Sequence, residues 1–495
     1  MSTNRHFDAD RRKIVKNLLA AGVGIYLVGC KTSKDGEEEL ELQPVEDVET
    51  VEEVEEILET NFVTFFAKGE EGFDELAEYF NLHTPRDPAL IALPQNTEGV
   101  AQAMKYAKQN DYKVAVKSGG HSFEQFSSSD GGMVINMSLF KAMEWQSNDL
   151  RVEPGVLLRE LYDEILPKRR ILPAGSCGTV GVGGIALGGG YGFFARKYGL
   201  TCDHIISATM VDGNGEIHEL GPQDDAMWAI KGGGNGNFGI ITSFTFRTHP
   251  APSHFANKRF KAYKLDPPRA KALMQTFFDN AQFLPQDCFA GFVLNGTTLT
   301  ILLTHYDDES ADGLQAFVDA FTPITDKQTE YDTPDIGKHL KNYYGAQSPL
   351  FFKNASAGYY NSFSDVEGCI DTVIEKVLEN GLIYQVNTLG GKINSSEFAT
   401  SGAYPHRSYE YLSELQCYWS KNQTTRRDNM LTAFEEIQTL FYENGNRAQY
   451  RNYPHIGFKN WESAYYGKNY GRLQDIKKKY DPEDRIQHDQ SVKLA

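Results

Sequence analysis

The sequence predicts an α+β fold in two parts, and three observations carry that prediction. Short apolar runs alternate with helical stretches between Ala89 and Phe246. After His249-Pro250-Ala251-Pro252 the texture changes, and helical stretches such as Arg269 to Gln282 alternate with β-rich ones such as Phe289 to His305. Glu410 to Trp419 alternates with the period of two that a half-buried strand requires. The 495 residues give room for two or three domains and contain no internal repeat.

Taken in order, Glu98 to Gln109 reads as a helix and Val114 to Lys117 as a short strand. Gly119-Gly120 makes a turn, and Met133 to Met137 is a second strand. Val152 to Gly155 reads as strand and turn, and Leu157 to Leu166 as a helix. Ile205 to Val211 and Glu216 to Leu220 flank Asp212-Gly-Asn-Gly215, a hairpin signal, and Gly239 to Phe246 is a further apolar strand. The last helix runs from Trp461 to Lys479, where Asp481-Pro482 ends it.

The formal charge of −18 argues against nucleic acid as a partner, since that binding depends on neutralising phosphates with Lys and Arg. Much of the charge is local. Asp35 to Glu59 holds many carboxylates and no basic residue, the pattern of a solvated spacer. Val48, Val51, Val54 and Leu58 recur within it at helical spacing.

Arg11-Arg12-Lys13 precedes an apolar run from Leu18 to Gly29, shorter than the roughly 20 residues a membrane span needs. The run suits a signal peptide, and the paired arginines resemble a bacterial twin-arginine export signal, although the usual Phe is missing after them. Leu27-Val28-Gly29-Cys30 resembles a lipobox. That resemblance implies a lipid on Cys30, membrane anchoring at the periplasmic side or cell surface, and the segment 30–60 as an acidic tether. The other cysteines, Cys177, Cys202, Cys288, Cys369 and Cys417, form no CxxC pair, so no structural zinc site is indicated. No HExxH, clustered-histidine or EF-hand pattern points to another metal.

Two segments carry the chemistry. Lys117-Ser-Gly-Gly-His-Ser-Phe123 presents a histidine on a glycine turn, where the backbone is free to approach a ligand closely. Pro173 to Gly192 places Cys177 beside Gly178-Thr-Val-Gly-Val-Gly-Gly184. The second segment loosely imitates a dinucleotide fingerprint. No buried strand leads into it, so that reading is rejected. Its glycines instead suit backbone amides lying against an anionic group.

With Ala89 to Pro94, Val134 to Ser138, Arg196 to Asp203, Met227 to Gly239, Tyr404-Pro-His-Arg407, Tyr450-Arg-Asn-Tyr453 and Tyr465 to Leu473, these segments resemble the berberine bridge enzyme-like oxidases of the vanillyl-alcohol oxidase superfamily. The likeness covers most of the chain from about Phe80. It implies a two-part FAD-binding domain, 61–250 with the returning segment 445–495, and between them a substrate domain, 251–444, presenting an antiparallel sheet over the flavin. It implies FAD bonded through His121 and Cys177. The other cofactor-binding positions would be Ser118, Gly119, Gly120, Ser122, Gly175, Gly178, Thr179, Val180, Gly181, Gly183, Gly184, Gly188, Gly189, Tyr191, Gly192, Gly239, Ile240, Tyr466 and Asn469. Val180 resembles the residue of members that react with molecular oxygen.

Two departures stand out. Gly178 replaces a residue that is often Pro, and His455 replaces the aspartate usual after Asn-Tyr-Pro.

Oxidation of an alcohol needs a base for the hydroxyl proton. The resemblance implies Tyr450 and Glu414 as the two candidates, with Tyr453 as the alternative tyrosine; Gln416 shares the strand face of Glu414 by the period of two. A carbohydrate is the favoured substrate class, because a surface lipoprotein rich in Tyr can stack on sugar rings. Two other readings remain: oxidation or cyclisation of a secondary metabolite or aromatic alcohol, and a surface-anchored binding lipoprotein without activity.

Overall fold

The computed structural model describes residues 26–32, 38–44, 61–253, 255–306, 311–333 and 335–495. The twin-arginine segment, most of the apolar run after it and the helical spacing from Val48 to Leu58 lie outside these residues. Tyr26–Thr32, which includes Cys30, is a strand paired antiparallel with Glu38–Pro44, and Tyr26 and Leu27 join the hairpin to Val63–Ala67.

The first part of the chain builds two sheets. In one, Leu90–Pro94, Met133–Asn136 and Val114–Lys117 run parallel. The crossover helix, Thr97–Gln109, starts where the Asn96 side chain accepts the Gly99 N–H at 2.9 Å. This cap satisfies a donor that the first helical turn leaves open. In the other sheet, Ile205–Val211 and Ile217–Leu220 pair antiparallel across Asp212, whose carboxylate accepts from Asn214 N and Glu216 N.

The middle part is a seven-stranded antiparallel sheet. Its order is Lys327–Thr333, Phe255–Ala262, Thr298–His305, Cys288–Asn295, Ile383–Thr388, Tyr411–Trp419 and Phe351–Tyr360. The strand period of two sorts its side chains. Phe260, Phe292, Ile301, Tyr384 and Leu415 pack against the helices Pro267–Ala281, Ala311–Phe321, Ile370–Asn380 and Thr424–Glu443. Each such large apolar side chain contributes on the order of 1.5–3 kcal/mol by leaving water. Arg259, Val293, Thr300, Gln385 and Glu414 face the other way.

Three points differ from the sequence expectation. The last helix is two, Trp461–Tyr466 and Tyr470–Tyr480, separated by a 3-10 turn at Gly467–Asn469, where Gly467 takes φ 49°. A residue with positive φ interrupts the ladder of a right-handed helix. The glycine-rich segment does open a short helix, Val182–Leu187, but the strand before it, Arg170–Ile171, has only two residues, so the dinucleotide reading still fails. Finally, the strand expected from Val152 ends there instead: it is Asp149–Val152, paired antiparallel with Met143–Gln146.

The C-terminal segment packs back on the first part. Lys477, fully buried, donates to Asn237 O at 2.8 Å and Ile486 O at 2.6 Å and pairs with Asp481 at 2.7 Å. Arg196 clamps the first part to the middle part through Cys288 O, Leu389 O and Leu284 O at 2.8, 2.6 and 3.0 Å. Cys177, Cys202, Cys369 and Cys417 are free thiols.

Candidate active site

A cavity of about 930 Å³ lies where these parts meet. His121 and Cys177 line it from the first part, Glu414 and Gln416 from the antiparallel sheet, and Tyr450 and Tyr453 from the C-terminal segment. No two of these three groups are neighbours in sequence.

The loops bearing His121 and Cys177 touch backbone to backbone. A Cβ on Gly119 would sit 2.4 Å from the Gly181 nitrogen, and one on Gly181 would sit 2.0 Å from Ser118 Oγ. Only glycine allows this approach. His121 stacks on Phe80 at 3.9 Å between ring centroids, and its Nε2 lies 2.9 Å from Thr179 Oγ1. Burial lowers its pKa to about 4, so the imidazole is neutral at ordinary pH. Cys177 is exposed and lines the cavity. Enclosure by protein, with the Glu414 carboxyl nearby, pushes its thiol up to about 11.

Glu414 is 6% exposed on Tyr411–Trp419, an interior strand of the sheet. Burial pushes its carboxyl up to about 8, against the opposing influence of Gln416 and Asn354. Tyr450 is buried, and its hydroxyl oxygen accepts from Gly190 N at 3.0 Å, Tyr191 N at 3.3 Å and Asn452 Nδ2 at 3.2 Å. Burial raises this phenol to about 12, and the three donors hold it from going further. Tyr453 stacks on Phe123 at 5.5 Å; burial, with Glu414 next, drives its pKa well above the usual value. Both tyrosines are anchored at a bulge in Phe351–Tyr360, where Ser356 N donates to Tyr453 O and Ser356 Oγ accepts from Tyr450 N.

Most of the positions expected to hold a cofactor reach the cavity wall: Ser118, Gly119, Gly120, Ser122, Gly175, Val180, Gly181, Gly183, Gly184, Tyr191, Gly192, Gly239 and Ile240. Six expected positions stand behind it. Thr179 holds His121, and Gly178 donates its N–H to Tyr344 O at 3.1 Å. Gly188 makes room for Asn452 and Gly189 for Tyr404 and Tyr450. Tyr466 accepts from Arg451 Nε at 3.0 Å, and Asn469 donates to Ala403 O at 3.0 Å.

These residues suit a dinucleotide cofactor. Arg451 lines the cavity and bonds Tyr466, Asn235 and His488, with no carboxylate partner among the described residues. A buried cation without a counter-ion is costly, and a pyrophosphate would answer it. The neighbouring wall of bare glycine backbone supplies amide donors of the kind that cradle such groups.

His455, which stands in place of the expected aspartate, is buried. Its ring reaches Glu124 at 3.5 Å and Glu435 at 3.1 Å, and the Lys353 ammonium pairs with Glu124. Burial would raise Glu124, but His455 and Lys353 outweigh it and hold the carboxyl below its ordinary range. Sequence reasoning missed Lys353, Asn354, Gln385, Asn387, Arg259 and Lys261, all on strands. Asn354, Gln385, Asn387, Arg259 and Lys261 line the cavity. The period-two alternation within Phe255–Ala262, Phe351–Tyr360 and Ile383–Thr388 is the signal that could have found them.

Comparison with known proteins gives the same picture. A family model described as an FAD binding domain matches residues 88–221, and one described as berberine and berberine-like matches 449–493. The FAD-linked oxidoreductase dpmaF of Metarhizium anisopliae is 30% identical over 469 residues, covering 88% of this chain and 89% of that protein. A chitooligosaccharide oxidase of Gibberella zeae is 26% identical, covering 86% and 92%. The solved structure of berberine bridge enzyme from Eschscholzia californica superposes with a TM-score of 0.75 at 22% identity, covering 88% and 97%.

Proposed function

This chain belongs to the berberine bridge enzyme-like FAD-linked oxidoreductases, and from that premise we propose that it oxidises an alcohol group of a carbohydrate, with Glu414 taking the hydroxyl proton. The observation that carries this reading is the meeting of Glu414 with His121, Cys177 and Tyr450 around one cavity. FAD, when bound, supplies the acceptor for the hydride that leaves the carbinol carbon. The alcohol thus loses a hydride from carbon and a proton from oxygen, and becomes a carbonyl.

Glu414 is the better base of the two candidates. A base works best with a pKa near the operating pH. The Glu414 carboxyl, at about 8, meets that condition more closely than the Tyr450 phenol, at about 12. Tyr450 instead gathers three N–H donors and so holds Gly190, Tyr191 and Asn452 in position. Asn354 presents a buried carbonyl oxygen with no partner among the described residues, and Gln385, Asn387 and Gln416 line the same face. This row of amides suits a polyhydroxylated substrate. A similar protein is named a chitooligosaccharide oxidase, which agrees with that class.

His121 and Cys177 each bond to FAD in this reading. With Nε2 engaged by Thr179, Nδ1 is the ring nitrogen left for a bond to carbon. Oxygen takes up the electrons as hydrogen peroxide, with Val180 on the cavity wall. Protein that stays yellow after acid denaturation supports the covalent bonds, and Cys177→Ala retains one of them. Flavin released from the wild-type chain by acid defeats them. A peroxide screen over oligosaccharides, polyols and phenolic alcohols tests the substrate class. Activity on phenolic alcohols alone sinks it.

The export reading is also a proposal: twin-arginine transport, cleavage before Cys30 and a lipid on its thiol. Cleavage there removes Tyr26 and Leu27, the two residues that join the N-terminal hairpin to Val63–Ala67, and leaves 30–60 as a tether. The N-terminal mass of membrane-extracted protein is the test. An unmodified N-terminus upstream of Cys30 would refute it.

A further inference from the structure

Across the cavity face of the seven-stranded sheet the side chains form transverse rows. One row runs from Lys261 through Thr300, Val293 and Gln385 to Glu414. Four inter-strand steps put Lys261 on the order of 19 Å from Glu414. The adjacent row begins at Arg259 and passes Leu302, Gly291 and Asn387. Gly291 keeps this row low, since a Cβ there would meet Asn387 Oδ1 at 2.6 Å.

Arg259 and Lys261 therefore stand side by side at the far end of the cavity floor. Phe260 between them points to the helices. Neither has a carboxylate partner among the described residues, whereas Lys258, on the opposite face, pairs with Glu330 at 3.3 Å. The Arg259 guanidinium lies 5.0 Å from the centroid of the Tyr343 ring. The Tyr343 hydroxyl also lines the cavity, and the Arg259 side chain reaches it. Burial, and next the Arg259 charge, lowers the neighbouring His339 to about 4, so it adds no cation of its own.

The charge of the cavity is opposite to that of the molecule. The chain carries −18, yet the charged residues on the wall are Arg259, Lys261 and Arg451 against Glu414 alone. With its carboxyl at about 8, Glu414 is largely neutral at pH 7. Arg451 sits at the glycine-rich end, where a pyrophosphate answers it. Arg259 and Lys261 are left to act on whatever occupies the substrate end. Clefts lined by one sign of charge concentrate ligands of the other sign.

We propose that the substrate is an acidic oligosaccharide, held through a carboxylate several rings from the oxidised position by Arg259 and Lys261. This rests on the carbohydrate reading above and narrows it. A chain lying along the amide row would reach the cations with its far end while its alcohol stands at Glu414. A guanidinium and an ammonium together suit a carboxylate, the first by its planar fork and the second as a point charge.

The test compares a neutral oligosaccharide with its uronic-acid-bearing counterpart of equal length and linkage, by anaerobic flavin reduction and by steady-state kinetics. The wild-type chain is expected to prefer the acidic oligomer. Arg259→Gln and Lys261→Gln should each lower the ratio of acidic to neutral kcat/KM by about tenfold, through KM. Added salt should erode the wild-type preference, a readout that needs no variant to fold. Equal use of both oligomers by the wild type, or a preference indifferent to salt and to both substitutions, overturns the proposal but leaves the carbohydrate reading standing. Flavin that no carbohydrate reduces, while a phenolic alcohol does, overturns both.

Discussion

Thr179 Oγ1 lies 2.9 Å from His121 Nε2, so the residue two places beyond Cys177 sets the ring orientation of the histidine on the other loop. The two proposed attachment points are thereby coupled. Thr179→Val removes the bond and keeps the shape. The expected outcome is incomplete attachment through His121 with the Cys177 bond retained, read by mass spectrometry of the two flavin-bearing peptides.

Gly178 is where the glycine-rich segment meets the substrate domain. Its N–H donates to Tyr344 O at 3.1 Å, and a Cβ would lie 2.8 Å from the Tyr344 ring. Proline has neither the N–H nor the room. Gly178→Pro is expected to lower stability by about 1–3 kcal/mol in thermal or denaturant unfolding. An unchanged midpoint would show that the Tyr344 loop yields freely.

The Glu414 carboxyl, raised to about 8, predicts a pH profile. Its basic form grows as pH rises, so kcat/KM should climb through about pH 8 and then level. Glu414→Gln should lower kcat by about 10²–10⁴-fold and abolish that limb. The linkage runs the other way for stability. The folded chain holds this proton more tightly than the unfolded one, so stability falls as pH rises from the ordinary carboxylate range to about 8. Glu414→Gln should escape that loss.

Tyr450→Phe separates the two base candidates. It leaves three N–H donors without their shared acceptor, at a cost of about 1–3 kcal/mol in stability. If Glu414 is the base, the alkaline limb survives in this variant. Loss of the limb in Tyr450→Phe and its persistence in Glu414→Gln would assign the role to the phenol.

Lys353 and Glu124 form a buried ion pair, with exposures of 8% and 4%, between the substrate sheet and the loop that follows His121. Removing one partner of such a pair costs about 3–5 kcal/mol, because the other charge stays buried. Lys353→Met should therefore destabilise the chain strongly, and adding Glu124→Gln should recover much of the loss. A double-mutant cycle with no coupling would contradict the pairing.

Elements with strong periodicity were legible in the sequence. Thr97–Gln109, Ile205–Val211 and Tyr411–Trp419 lie within a residue of their expected positions, and the face of Glu414 and Gln416 was readable from the period of two. The break at Gly467 was not, because the apolar spacing continues across it on both sides. Positions such as Thr179, Gly178 and Tyr466 carried the same motif signal as their neighbours, yet they serve from behind the wall. Nothing local distinguishes a side chain that touches a ligand from one that holds the residue that does.

By itself the sequence determined the α+β class, the two glycine-rich loops with His121 and Cys177, and the candidate base strand. These follow from local backbone needs and short-range alternation. Tertiary structure alone decided that Glu414 is enclosed rather than solvated, that Tyr450 receives three N–H donors, and that Lys261 ends the row on which Glu414 stands, with Arg259 beside it on the adjacent row. Each of these depends on strands far apart in sequence lying in register. Register is set by the packing of whole faces, which no single segment encodes.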